Sequence, residues 1–381
     1  MRPPHSTVTA ASVHHLAHQV LADALGWKPF RRSVGVAPLI DLILVMATTA
    51  RTLFAVVRRR FPFSHETARQ ALRANLPKAD VLTEQLVDGL HAVLAFSRRD
   101  RRRRWTVAID AHDTPYYGDR ATPHIVGGRK KQGTKYFFGY ATAVLIHRRR
   151  RYTVGLLSVT KGLRPHQIVA ALLDQIAARG LNVGGVVLDS GFDSGDTILD
   201  LQRRALSYTV PLRRKGCGTN RRNACFAWPS GTLGDVSWVT DQSREAVTTR
   251  VLVGKRAGQP RAKVYAFAGW GDARAVREAR RARLGRRRYR ERFGIETSYR
   301  QKNQARAWTT SRDAVYRLLL EGLAHLLRQI WVRLCERIAH AAGLKPTAWV
   351  GFALADLLEA FADHLKSRYP ATRAENPPSV A

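Results

Sequence analysis

The chain has 381 residues, enough for two or three domains with buried cores, and its 45% hydrophobic content excludes wholesale disorder and low-complexity fibre. Its 64 Lys+Arg stand against 29 Asp+Glu, a formal charge of +35, and 52 of the basic residues are arginine. A forked guanidinium pairs with phosphate oxygens, so a polyanion, nucleic acid first, is the expected partner. Three cysteines at 217, 225 and 335, with no C-x-x-C pair, exclude a disulfide framework and a zinc knuckle, and point to a reducing, cytosolic compartment.

Residues 1 to about 30 are weakly patterned, and MRPPHSTVTAASVHHLAHQV lacks the apolar core and cleavage site of a secretory signal. From 36 to 96 the pattern is helical. Pro38 suits the first turn of a helix running to Arg60, which Pro62 ends. Ser64 fits an N-cap before HETARQALRANL, and Pro77 closes that segment. The two helices, broken at Arg59-Arg60-Phe61-Pro62-Phe63, have the outline of a helix-turn-helix, balanced against an ordinary bundle with basic edges. The most apolar stretch, Leu39 to Val57, holds Asp41, Thr48, Thr49, Arg51 and Thr52. A spanning helix needs about 20 apolar residues, so no membrane segment is expected.

The charge run SRRDRRRRW marks the first domain boundary, and beyond it the period changes. Trp105 to Asp110 reads as a short apolar strand ending in a carboxylate. Tyr136 to His147 and Tyr152 to Val159 complete a meander, with its turn at Arg148 to Arg151. Pro165 opens a helix that Gly180 ends; Val183 to Leu188 is a fourth strand, followed at once by Asp189. A helix from Thr197 to Ala205 leads to a fifth strand, Tyr208 to Leu212. The order β-β-β-α-β-α-β is that of the ribonuclease-H-like fold. Between about 213 and 270 three further segments read as an antiparallel hairpin set: Val236 to Val239, Val247 to Val253 and Ala262 to Ala268. Asp272 to Asn303 reads as a very basic helix, Ala314 to Ala342 as a long helix with an apolar stripe, and 350–368 as another before a polar tail. The expected fold is α/β, a ribonuclease-H-like mixed-sheet core with a β-rich insertion, preceded by a helical N-terminal domain and followed by C-terminal helices. The expected divisions are 1–97 (helical, DNA-binding), 98–342 (catalytic) and 343–381 (helix and disordered tail).

Three carboxylates stand out: Asp110 and Asp189 at strand ends, and Glu296 in the basic helix. The ends of neighbouring strands converge, and a helix packed on that edge would bring in the third. Three carboxylates in one pocket repel one another unless a cation sits among them, and oxygen-only donors suit Mg²⁺ or Mn²⁺. Two such ions about 4 Å apart would activate a hydroxyl and steady the leaving oxygen of a phosphodiester. Asp113 competes with Asp110, but its D-T-P setting suits a turn. Asp193 and Asp196 fit helix caps, Glu291 a partner of nearby arginines, and His112 a supporting role. Trp270, in AGWGD, suits a base-stacking platform or a core equally.

TVAIDAHDTPYYG, GVVLDSGFDSGD and RYRERFGIETSYRQK resemble the three acidic motifs of insertion-sequence DDE transposases. The third is similar to the Y-R-E-K signature of the Tn-five-like, IS-four-type group, and the ID-x-H-D-x-P-Y-Y-G form to its ISH-like branch in archaeal and bacterial elements. Tyr289, Arg292 and Glu296 meet three positions of that signature. The lysine position falls on Asn303, with Lys302 one residue early and Arg300 one turn after Glu296. Spacings of three and four put 289, 292 and 296 on one face of a helix. The resemblance covers about residues 105 to 335. It implies a catalytic triad of Asp110, Asp189 and Glu296 holding two Mg²⁺ or Mn²⁺ ions. It implies hydrolysis at transposon ends, then attack of the freed 3′-hydroxyl on target double-stranded DNA. It also implies DNA contacts from Tyr289, Arg292, Arg300 and Lys302, a homodimer in the synaptic complex, and a nucleoid-associated, cytoplasmic location. The other readings are a metal-dependent nuclease of the same fold without strand transfer, and an inactive basic DNA-binding protein.

Overall fold

The computed structural model describes residues 9–147, 150–216, 221–254, 263–269, 278–345 and 347–371. In chain order the elements are α1 (Ala10–Leu25), α2 (Val36–Thr48), α3 (Leu53–Arg60), α4 (His65–Asn75), α5 (Ala79–Leu94), α6 (Arg98–Arg102), β1 (Trp105–Tyr116), β2 (Val126–Lys131), β3 (Thr134–His147) and β4 (Arg150–Val159). They continue as α7 (Pro165–Ala178), β5 (Val183–Leu188), α8 (Gly195–Arg203), β6 (Ser207–Leu212), β7 (Leu233–Val239), β8 (Ala246–Gly254), β9 (Lys263–Ala268), α9 (Glu278–Glu291), α10 (Gly294–Lys302), α11 (Ala314–Ala341) and α12 (Leu354–Arg368). The chain divides into two compact units, one of residues 1–95, 118–123 and 297–381, the other of 96–117 and 124–296. This division differs from the expected one, because residues 297–342 group with the N-terminal helices.

The first unit is helical. Its centre is α2, apolar on every side and buried from Leu39 to Thr48. The expected continuous helix to Arg60 is instead two helices bent by 119°, because Thr49 to Thr52 leave the helical path and Thr52 caps α3 by accepting the Ala55 N–H at 3.3 Å. No single described helix is long and apolar enough to cross a membrane. Ser64 caps α4 as read, accepting the Thr67 N–H at 3.0 Å. The weakly patterned start holds α1, capped by Thr9. Helix α11 lies along α5, and the two approach at Gly322, where a Cβ would come within 2.5 Å of the Leu86 side chain.

A carboxylate enters the core around α2. Asp41 is fully buried, its Oδ1 2.6 Å from His14 Nε2, and its Oδ2 accepts the Tyr369 hydroxyl at 2.8 Å. Burial alone would raise this carboxyl, but the hydrogen bonds from His14 and Tyr369 and the charges of His14 and His18 outweigh it and hold Asp41 below the ordinary value. A lowered carboxyl stabilises the fold above its unfolded pKa of about 3.9, and that stability is lost as pH falls through the lower folded value. The helical unit is therefore expected to lose stability steeply below about pH 4. Asp41→Asn should be less stable at neutral pH and flatter in that acid limb, read by circular dichroism. An unchanged acid limb in Asp41→Asn would show that the linkage lies elsewhere.

The second unit is built on one mixed sheet of order β2-β3-β1-β5-β6-β9-β8-β7, with β4 also paired to β3. Strands β1, β5 and β6 run parallel, and β3 and β4 continue antiparallel from β1, the order of the expected ribonuclease-H-like core. Helix α7 packs on β3 and β4 and α8 on β6 and β8, while α9 lies against β5, β6 and β9. Three details depart from the sequence reading. Strand β1 runs on past Asp110 to Tyr116, because β3 continues to pair with it. Strand β2, a largely exposed VGGRKK segment without apolar alternation, adds an unforeseen edge. The β-rich insertion is part of the main sheet: β9 pairs antiparallel with β6, and β8 and β7 follow outward. The fold is thus a mixed α/β core with helices before and after it.

Candidate active site

Parallel pairing of β1 and β5 sets the first two carboxylates side by side. The ladder reaches Ile109 opposite Leu188, so Asp110 and Asp189 are the next residue of each strand, at the carboxyl end of the pair. Open sheets place their functional crevices at such ends. Alternation along β1 gives His112 the same face as Asp110 and turns Asp113 to the other. There Asp113 pairs with Lys131 of β2 at 3.2 Å. His112 lies against the Tyr140 ring, at a centroid distance of 5.7 Å.

The expected single helix through 289, 292 and 296 is broken. Helix α9 ends at Glu291, Arg292 and Phe293 form a turn, and α10 starts at Gly294. Arg151 of β4 causes the break to hold: its guanidinium donates to the Glu291 carbonyl, satisfying an orphan acceptor at the end of α9. A Cβ on residue 294 would lie 2.7 Å from Arg151 Nε, so the glycine makes room for that side chain. Glu296 then falls in the first turn of α10.

All three carboxylates converge on one guanidinium. Arg292 Nη1 is 3.1 Å from Asp110 Oδ2, and its Nη2 is 3.3 Å from Asp189 Oδ1 and 4.0 Å from Glu296 Oε1. Arg292 is 4% exposed and lies against the edge-to-face pair of Tyr289 and Phe293, at 5.5 and 5.3 Å from their ring centroids. Burial works against its charge, but Asp110 foremost, with Tyr289 and Asp189, holds the guanidinium protonated. One guanidinium does not balance three carboxylates, and the deficit falls on the most buried of them. Burial first, against the pull of Arg292, and then the charges of Asp189 and Glu296 push Asp110 up to about 6. An oxygen-only cluster with surplus negative charge fits hard divalent cations.

The four residues expected to meet DNA fall differently. Arg300 is exposed. Tyr289 is buried against Tyr265 and Phe293, at 5.3 and 5.8 Å. Arg292 turns its two terminal nitrogens to the carboxylates. Lys302 is fully buried in the helical unit, its ammonium on Glu321, which corrects the expectation that it reaches a phosphate. The exposed basic face near the cluster is instead that of α9, with Arg283, Arg286, Arg287 and Arg290 outward. Glu291 pairs with Arg288 at 3.0 Å, as read. Asp193 and Asp196 do not cap α8; Ser194 does, while Asp193 is buried on Arg222 and Asp196 accepts the Ser243 N–H at 2.9 Å. Trp270, Arg148 and Arg149 lie outside the described residues. Sequence reasoning missed Arg151, Phe293 and Gly294; the Phe-Gly pair between two polar helical runs was the available signal.

Residues 101–320 match the family model described as the transposase DDE domain. Among solved structures, the cryo-EM structure of the piggyBac transposase synaptic complex with hairpin DNA is similar, with a TM-score of 0.59 at 12% identity, over 98% of this chain and 85% of that one. At that identity the likeness is one of fold. Among curated proteins none matches the chain. The family match spans more than half of the sequence and contains Asp110, Asp189 and Glu296 together, so the chain belongs to the DDE transposase domain family.

Proposed function

We propose that this DDE transposase is the enzyme of an insertion sequence, in the Y-R-E-K-bearing, IS-four-type group. It cleaves double-stranded DNA at transposon ends and joins the freed 3′-hydroxyl to target DNA. The observation that carries the reading is the convergence of Asp110, Asp189 and Glu296 on Arg292, from the middle of β1, the residue after β5 and a helix start. Asp110, Asp189 and Glu296 would hold two divalent cations, Mg²⁺ or Mn²⁺. Such ions supply Lewis-acid activation of the attacking hydroxyl and charge stabilisation at the leaving oxygen.

The protein's own residues do the rest. Exposed Arg283, Arg286, Arg287 and Arg290 on α9 would grip the backbone beside the cluster, and the exposed Arg300 would add a phosphate contact of its own. The Tyr289 and Phe293 ring pair backs the Arg292 guanidinium. The basic helices α3 and α4 are a second DNA-contacting region, and two copies of the chain, one for each end, would form the synaptic assembly at the nucleoid.

The test is incubation with Mg²⁺ and a duplex carrying the inverted repeats that flank the gene. Cleaved 3′-hydroxyl ends and joined products are the expected result. Cleavage without joined product would make the protein a nuclease of this fold, and neither product would leave a DNA-binding protein. Binding to a long duplex should also weaken steeply with salt. With about 6–10 phosphate contacts the affinity falls about 10³- to 10⁵-fold between about 50 and 200 mM. A flat plot of log K against log salt would remove nucleic acid as the partner of the +35 charge.

A further inference from the structure

Arg292 occupies the place where a cation is needed. Its two terminal nitrogens meet Asp110 Oδ2, Asp189 Oδ1 and Glu296 Oε1, one oxygen from each carboxylate that the proposed reaction assigns to metal. A guanidinium delivers one charge at 3.1–4.0 Å, whereas a divalent cation delivers two at about 2.1 Å. Both draw on the same three oxygens, and the positive charge of each opposes the other. The arginine is also built to sit there: its stem leaves the chain at the two-residue break between α9 and α10, its backbone N–H donates to the Tyr289 carbonyl at 3.0 Å, and the Tyr289–Phe293 ring pair backs its head.

We infer that Arg292 is an internal counter-cation that competes with divalent metal for the Asp110–Asp189–Glu296 cluster and so sets the metal affinity of this site. The inference rests on the reading of these carboxylates as metal ligands. Before metal arrives, the guanidinium keeps three like charges in one cluster. When metal binds, the guanidinium must loosen its hold on those oxygens, and that cost, with the repulsion between the two cations, weakens binding. A purely structural arginine behaves in the opposite way: its removal loosens the cluster and lowers metal affinity.

The sign of the effect is therefore the test. Mn²⁺ binding to the full chain, without DNA, is measured by calorimetric titration and by loss of the free Mn²⁺ EPR signal. The chains compared are the wild type, Arg292→Gln, Arg292→Lys, and each of the first two carrying Asp110→Asn. Arg292→Gln is expected to bind Mn²⁺ about tenfold tighter, the size of one charge's influence on a neighbouring site. Arg292→Lys should fall between it and the wild type, because a compact ammonium cannot bridge three carboxylates. Circular dichroism and thermal unfolding establish that each chain is folded. If Arg292→Gln does not fold, Arg292→Lys decides alone, with tighter binding in support. Equal or weaker Mn²⁺ binding in the folded variants overturns the inference, as does the absence of binding to every chain at millimolar Mn²⁺. The Asp110→Asn arms separate the two failures. Binding that needs Asp110 but ignores Arg292 sinks this inference alone. Binding indifferent to Asp110 in both backgrounds sinks the metal-site reading and this inference with it.

Discussion

Asp110→Asn and Asp189→Asn are each expected to reduce cleavage of transposon ends on the order of 10³-fold or more, equivalent to about 4 kcal/mol of transition-state stabilisation. Duplex affinity should stay within about twofold, because on the proposed reading the basic residues and not the carboxylates would meet the phosphates. Asn keeps the shape of the side chain and removes the charge that a metal requires. Arg292 still has two carboxylate partners in either variant, so the cluster is expected to stay folded. Asp113→Asn is the internal control. It lies on the opposite face of β1, on Lys131, and its loss should leave cleavage nearly unchanged. Gel assays of end cleavage and filter binding on the same chains decide the matter. Full activity in Asp110→Asn together with inactivity in Asp113→Asn would move the first ligand to residue 113.

Glu321→Ala should be among the most destabilising single changes in the helical unit. Lys302 has no solvent exposure and gives its ammonium to Glu321, which also lies 3.4 Å from His325 Nε2. Burial pulls the lysine below its ordinary pKa, and Glu321 is the main charge working against that fall. Without the carboxylate, a buried ammonium loses its partner, at a cost of about 3–5 kcal/mol. Replacing both residues by apolar ones, Lys302→Met with Glu321→Leu, should be far milder and close to neutral, because no uncompensated charge remains. Urea unfolding with hydrogen exchange on α11 amides measures both. A loss below about 1 kcal/mol for Glu321→Ala would mean that water reaches the lysine and that the pair is not a buried one.

Local pattern made some of this legible and topology hid the rest. The apolar runs Trp105 to Ile109 and Val183 to Leu188, each followed by aspartate, marked two buried strands, and α7, after the β2–β4 antiparallel strands, carries the chain back so that the two pair in parallel. Helix ends at Ser64, Pro165 and Gly180 followed from capping chemistry. Strand β2 was illegible, because VGGRKK pairs by backbone along one edge and carries no buried face to write an alternation. The joining of β9 to β6 was illegible for another reason: hairpin spacing says which strands pair locally and not which neighbour closes the edge. At the site, the three acids could be read from the motifs, but the break at Arg292 could not. It depends on Arg151, 141 positions earlier than Arg292, reaching the end of α9. The burial of Lys302 did leave a trace. Ile295, Ser298, Lys302 and Ala305 recur at three and four residues and are all buried, so the lysine lies on an inward stripe.

The ladder between β1 and β5 has a consequence for how this chain tolerates change. Neighbouring strands stand about 4.8 Å apart, a gauge set by backbone hydrogen bonds and not by side chains. Asp110 and Asp189 inherit that gauge, one from each rail, so repacking of the apolar residues beneath them leaves their separation untouched. What the rails cannot absorb is a change of count. Deleting one residue between Trp105 and Asp110 would turn every later side chain of β1 over, carrying the aspartate to the opposite side of the sheet and presenting its neighbour instead. The strand portion of the site is therefore forgiving of composition and intolerant of length.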